Sequence, residues 1–258
     1  MNRQRTTTLR KLSIYGFDLV AGGHNLYALL EFDITNLRSR LREQRKGGEG
    51  GSLFAFILKA IGKCLEEYPE FNSMINLRDT TTFEEVDVSI PVEVEKSGKL
   101  VTKQYIIRDI NRKTTKEVSD EIVEAKKNVD DEEGYVFSKI GQKILGILPR
   151  RIVLWFLRSL VRNHKKVKEH SGTLFVTSVT MFSNAPGFIV PYIGGPKAVS
   201  FAVGSSVKKP VVIGDEIRIR EMINVTAVFN HDIIDGAPAA RFINRLRRYL
   251  ERDFREIE

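Results

Sequence analysis

The chain has 258 residues, enough for one large domain or two small ones, and a hydrophobic fraction of 42% that supports a substantial core. Its net charge of +8 suits anionic partners such as phosphorylated cofactors, nucleic acid or an anionic membrane surface, without choosing among them. The single cysteine, Cys64, excludes an internal disulfide and points to a reducing compartment. With a polar, basic start from Met1 to Arg10 and no run near ~18 uncharged apolar residues, the chain is expected to be soluble and cytoplasmic.

The first ~23 residues show no clear periodicity and end in the turn signal Ala21-Gly22-Gly23. His24 to Phe32 has strand character, and Asp33 and Thr35 can cap a helix carrying Leu37 and Leu41. Gly47 to Gly51 reads as a flexible loop without the Lys-Ser/Thr of a phosphate-binding loop. From Ser52, Phe54, Leu58, Ile61, Leu65 and Tyr68 recur at helical spacing until Pro69 stops the helix, with Cys64 read as a buried structural thiol. Val86 to Val94 alternates strictly, which predicts a half-buried strand, and Pro91 suggests a sheet edge or bulge. Ser97-Gly98 turns into a second strand, about Leu100 to Ile107, and Thr115 caps a helix through about Lys127.

Residues ~139–170 form a distinct insert in which Pro149 starts a cationic amphipathic helix. Arg151, Arg158, Arg162 and Lys165 share one side, and Ile152, Trp155, Phe156 and Leu160 another. Such a helix can lie on a membrane surface, cover an acyl ligand, or pack on its own domain. His164 and His170 within it read as solvated. Strands follow at Thr173 to Met181, Lys197 to Val203, Pro210 to Ile213 and Ile217 to Phe229, with Asn184 to Gly187 as a loop. Ala239 to Glu251 closes the chain as a helix with Phe242, Ile243, Leu246 and Leu250 inward. Mixed elements without regular βαβ alternation predict an α+β fold, one sheet with helices packed on a face, in a single domain spanning 1–258.

The chemistry concentrates in Asn230-His231-Asp232-Ile233-Ile234-Asp235-Gly236-Ala237-Pro238. An imidazole suits proton transfer near neutral pH, and a loop between strand and helix is a common place to present one. Asp235 can orient the ring or pin the loop, and Gly236 permits a turn that a Cβ would hinder. Three fixed positions alone would equally describe a loop histidine before a helix N-cap. No His/Cys/Asp/Glu group has metal-ligand spacing, so no metal is expected.

The longer stretch from Phe229 to Leu246 resembles the active-site segment of the 2-oxoacid dehydrogenase acyltransferase (E2) catalytic domains, which share the chloramphenicol acetyltransferase fold. His24 to Thr35, Leu53 to Asn72, Val86 to Lys113 with Arg108-Asp109, and Gly172 to Phe182 resemble the family's other core segments. The likeness implies a two-layer sandwich and a homotrimer with each active site between two subunits. It implies His231 as general base for a thiol of coenzyme A or a dihydrolipoamide-like carrier, Thr177 in place of the family's serine as oxyanion donor, and Asp235 holding the loop. Ser178, Gly236 and His24 would sit beside the substrate, although a polar strand start explains His24 as well. Coenzyme A would be a co-substrate, with no tightly bound cofactor and no nucleic-acid partner.

Asn230-His231-Asp232 replaces the usual Asp-His-Arg, Ser178 stands where asparagine or serine is common, and Thr180 replaces a usual glycine. The chain is expected to be a stand-alone form without lipoyl or subunit-binding domains, and a free trimer because Arg252 to Glu258 lacks an apolar cage-joining tail. Two other classes remain open at this point: a non-catalytic trimeric scaffold, and a membrane-surface or lipid-handling protein using residues 144–168.

Overall fold

A computed structural model describes residues 6–20, 23–48, 50–76, 78–96, 99–127, 139–180, 185–191 and 195–257. In chain order they form α1 (Thr8–Val20), β1 (Asn25–Asp33), α2 (Thr35–Lys46), α3 (Leu53–Glu67), β2 (Ser73–Ile75), β3 (Thr80–Thr82), β4 (Val88–Lys96) and β5 (Lys99–Ile107). Then come α4 (Thr115–Lys127), α5 (Lys139–Ile147), α6 (Arg150–Val161), α7 (His164–Ser171), β6 (Leu174–Ser178), β7 (Val199–Ile213), β8 (Glu216–Asn230) and α8 (Gly236–Glu251). Six strands make one mixed sheet in the order β1-β8-β7-β6-β4-β5, in which β6 runs parallel to both β4 and β7. The α+β expectation holds.

Side chains alternate across each strand, so one face of the sheet carries Leu174 and Val176, Val199, Phe201 and Val203, and Val225, Ala227 and Phe229. Helices α2, α3, α4 and α8 cover that face with Leu37, Leu41, Phe56, Leu58, Ile61, Val118, Phe242 and Leu246. Helix α3 is buried on nearly every side, not along one stripe, because the sheet, α4 and α8 all pack on it. The helix opens at Ser52 as expected, and the Ser52 hydroxyl caps it by accepting from Ala55 N–H at 3.1 Å. Burial pushes the Cys64 thiol well up, which suits a packing role.

Several boundaries differ from the sequence reading for identifiable reasons. The N-terminal segment is helical: Leu12, Tyr15 and Leu19 of α1 pack against Leu145, Val153 and Leu157 of α5 and α6, a partner far away in sequence. Thr114, not Thr115, caps α4, in a reciprocal pair with Glu117: Thr114 N–H donates to the carboxylate at 2.7 Å and Thr114 Oγ1 accepts from Glu117 N–H at 3.2 Å. The segments 197–203 and 210–213 are one strand, β7, because its distal half continues to pair with β8 to the turn at Gly214, where φ is +63°. Pro91 lies on an internal strand, yet β6 reaches only Val88 and Ser89 of β4, so the missing amide faces no partner there. His164 is buried, with Nδ1 2.8 Å from Thr81 Oγ1 and Nε2 3.2 Å from Asn76 Nδ2, while His170 is exposed. The expected turn at Ser97-Gly98, and the ends of the loops at 21–22 and 181–184, lie outside the described residues.

An aromatic cluster lies within the core. Phe242 of α8 stacks on Phe71 at 4.5 Å and lies 6.2 Å from both Phe201 and Phe229, tying the C-terminal helix to the two central strands. Phe242→Ala is therefore expected to cost about 3–5 kcal/mol, read as a fall in the urea midpoint, whereas Phe242→Leu, which keeps most of the volume, should cost about 1.5 kcal/mol or less.

Candidate active site

β8 leaves the sheet at Asn230, and the loop beyond it is held by that residue. Asn230 N–H donates to Ala198 O at 2.8 Å, its side-chain oxygen accepts from Asp232 N–H at 3.0 Å, and its carbonyl accepts from Ile233 and Ile234 N–H at 3.0 and 2.9 Å. Ile234 is buried in the core under the loop, and Asp235 O accepts from Ala239 N–H at 3.1 Å as α8 begins. Between these anchors His231 has little backbone freedom. Its own N–H donates to His24 O at 2.7 Å across the end of β1.

The side chains divide into two pairs. His231 Nδ1 lies 3.6 Å from Asp235 Oδ1, close enough to orient the ring electrostatically and too long for a formed hydrogen bond. Nε2 of His231 has no hydrogen-bond partner among the described residues, and the side chain is 47% exposed, so this nitrogen is open to a proton from outside. The second pair is His24 Nδ1 with Asp232 Oδ1 at 2.8 Å, which the sequence reading missed. Only the crossing of β1 and β8 reveals it, since the two residues are 208 positions apart. Asp235 stands at the N-cap position of α8 but makes no side-chain cap, which leaves its carboxylate for the ring.

Gly236 needs correction. It is the first residue of α8, has no positive φ, and a Cβ there would meet nothing within 4 Å, so the turn itself does not require glycine. Lys197, beside Ala198, was also missed: burial pushes its ammonium down to about 7 against the pull of Asp87, and it donates to Ser171 O.

Thr177 and Ser178 lie elsewhere. Thr177 is level with Ala202 on β7, and Ala202 is level with Thr226 on β8. His231 follows Thr226 by five residues along β8. By strand rise and spacing the two side chains are roughly 20 Å apart within one chain. Thr177 also points to the sheet face opposite the one that α2, α3, α4 and α8 cover, beside Ser200 and Thr226, whose buried hydroxyls have no partner among the described residues, and near Tyr27 and Leu29, about half exposed. Ser178 Oγ is 2.9 Å from Thr180 Oγ1, and Thr180 opens on a pocket lined by Arg38, Phe54, Ile57, Val203 and Ser206. Arg38 is fixed there by Glu221 at 2.9 Å and Ser206 at 3.2 Å. Among the described residues no group of three or more His, Cys, Asp or Glu side chains is placed to hold a metal.

The family model of 2-oxoacid dehydrogenases acyltransferase (catalytic domain) matches residues 25–133 and 158–257. The chain belongs to this family. It is 26% identical over 231 residues to the lipoamide acyltransferase component of the branched-chain alpha-keto acid dehydrogenase complex of Bacillus subtilis, covering 87% of this chain and 46% of the relative. It is 28% identical over 258 residues to the dihydrolipoyllysine-residue succinyltransferase component of the 2-oxoglutarate dehydrogenase complex of Staphylococcus saprophyticus, covering 97% and 51%. The chain thus spans about half the length of these curated relatives. A solved structure of Azotobacter vinelandii dihydrolipoamide acetyltransferase has a TM-score of 0.72 at 20% identity, covering 100% of this chain and 93% of that one. A chloramphenicol acetyltransferase gives 0.52 at 14%, covering 97% and 98%. The expected fold of the acyltransferase family is thereby shown. The family match omits residues 134–157, so the element outside it is narrower at its C-terminal side than the expected insert of 139–170.

Two measurements probe this architecture. Asn230→Ala should leave the fold intact, at a cost of about 0.5–1.5 kcal/mol, while the Asp232 amide exchanges faster in hydrogen-exchange mass spectrometry. On the pocket side, burial raises the Asp33 pKa, but hydrogen bonds from Thr35 and Arg220 outweigh it and hold the carboxyl below its ordinary value. A depressed carboxylate stabilises the fold above its unfolded pKa, near 3.9, and that contribution disappears as pH falls through the lower folded value. Asp33→Asn should therefore lower the urea midpoint at pH 7 and flatten its decline between pH 5 and 3.

Proposed function

We propose that this chain transfers acyl groups between coenzyme A and a thiol or other acceptor, with His231 as general base and Thr177 as oxyanion donor. The observation that carries this reading is the pinned, half-exposed imidazole with Asp235 behind Nδ1 and Nε2 open, in a member of an acyltransferase family. Nε2 takes the proton of the incoming thiol as its sulfur attacks the thioester carbonyl. The carbonyl oxygen becomes an oxyanion, to which the Thr177 hydroxyl donates a hydrogen bond that strengthens in the transition state. Collapse expels the other thiolate, which recovers the proton from His231. The Azotobacter enzyme's structure was studied for the roles of a serine, a histidine and an asparagine in its catalytic mechanism, the last two spaced by four residues. His231 and Asp235 have that spacing here, and Thr177 would take the place of the serine.

The ~20 Å between His231 and Thr177 within one chain requires the site to form between copies. That supports a homotrimer in which one subunit brings the imidazole and its neighbour the hydroxyl. The sheet face opposite α2, α3, α4 and α8, with Tyr27 and Leu29 exposed, and the β7–β8 ribbon, with Val212, Ile217 and Ile219 exposed, supply apolar surface for such an assembly.

His231→Ala should lower acyl-CoA turnover by about 10³-fold or more, and Thr177→Val by about 10²–10³-fold, with the trimer retained in both. Dissociated and reassociated together, the two inactive chains should recover turnover up to about one quarter of wild type, because random mixing rebuilds intact sites at that fraction of the interfaces. A mixture as inactive as its parents would remove the shared site.

A further inference from the structure

Helices α1, α5 and α6 form a small body of their own. Their core of Leu12, Leu145, Val153 and Leu157 lies wholly outside the residues that match the family. Arg150 fastens this body together, with Nη2 2.8 Å from Asp18 and its guanidinium over the Tyr15 ring. On each helix of the α5–α6 pair the residues beside the buried anchor are apolar and exposed: Ile144 and Ile147 around Leu145, Ile152 and Trp155 around Val153. Ile147 is 86% and Trp155 71% exposed, a cost that a chain without a partner for them has no reason to carry.

Charge says what the partner is. Arg151, Arg158 and Arg162 follow one another at helical spacing along the edge of the Ile152–Trp155 strip, and none is paired with a carboxylate among the described residues. Residues 139–171 hold nine Lys and Arg side chains and one Glu, a surplus of eight that equals the net charge of the whole chain. The rest of the molecule is thus neutral in sum, and the surplus of basic side chains falls on a segment that also exposes large apolar side chains. An apolar strip bordered by a guanidinium row fits the boundary between acyl chains and anionic headgroups, where tryptophan and arginine each find their preferred layer. A helix spanning a bilayer is a different matter: no described helix is long and apolar enough to cross one. We propose that the α5–α6 pair docks this protein on anionic lipid surfaces, with Ile147, Ile152 and Trp155 entering the headgroup boundary and Arg151, Arg158 and Arg162 facing the phosphates.

Trp155 is the only tryptophan in the chain, so its fluorescence reports this contact alone. The full-length protein is mixed with vesicles of phosphatidylcholine, or of phosphatidylcholine with about 30% phosphatidylglycerol, and read by emission and co-sedimentation. The expected result is a blue shift and pelleting with the anionic vesicles only, weakened at ~1 M salt. Reversing Arg151, Arg158 and Arg162 to Glu should weaken binding by at least about 100-fold. Should that triple variant fail to fold, Arg158→Glu alone is expected to weaken binding about fivefold or more. Ile152→Ser should reduce the blue shift while circular dichroism stays unchanged. Three results would each overturn the proposal: no binding to anionic vesicles, pelleting without any change in Trp155 emission, or a blue shift that grows with protein concentration in the absence of lipid. The last would assign the face to a second copy of the chain.

Discussion

The pairing of β7 with β8 fixes the geometry on which the candidate site depends. Its register sets Val199 opposite Phe229, and the Asn230 amide closes the last rung on Ala198. A slip by one residue would move Phe229 and Ala227 out of the core and turn Thr226 into it, so the hydrophobic pattern enforces the alignment. That same alignment decides where the chain leaves the sheet, hence where the imidazole stands, and how far it is from Thr177. The position of the candidate site is thus set by a ladder of packing residues.

Much of this was legible in the sequence because the decisive signals are local. The alternation of Val86, Val88, Ile90, Val92 and Val94, the helix start at Ser52 and the stop at Pro69 each state a conformation within a few residues. So does the strand that delivers His231 and the helix after it. The features that escaped reading have a common cause. Helix α1 is stabilised by α5 and α6, the burial of His164 by Thr81 and Asn76, and the pairing of His24 with Asp232 by the crossing of β1 and β8. None of these partners is near in sequence, and short stretches with weak periodicity carry no record of them. The break expected between 203 and 210 failed for the opposite reason: polar residues in a two-stranded ribbon need no buried face, and pairing alone maintains the strand.

The candidate site shows the same division. His231 and Asp235 are four residues apart and face one another through local geometry, so their association could be read directly. Thr177 could be joined to them only through the family likeness, and the register explains why: no arrangement of a single chain with this sheet brings its hydroxyl to the ring. The separation acts as a constraint on assembly. If the two groups share one reaction, catalysis belongs to the interface and the isolated chain carries two incomplete halves.

This makes the Thr177 sheet face and the appended helices opposite cases. Tyr27 and Leu29 lie on the face that also carries Thr177, where a neighbouring subunit would bury them and complete a site in one step. The small core shared by α1, α5 and α6 stands outside the matched family residues, and residues 139–171, which run on through α7, gather a positive charge equal to that of the entire chain. A subunit interface of that composition would bring like charges together across a symmetry axis, at a cost that grows as water leaves. An anionic surface turns the same arginines into the source of attraction, and the apolar strip beside them then gains from burial instead of competing with it. The two exposed regions therefore call for different partners, one supplied by the chain itself and the other by a surface of opposite charge.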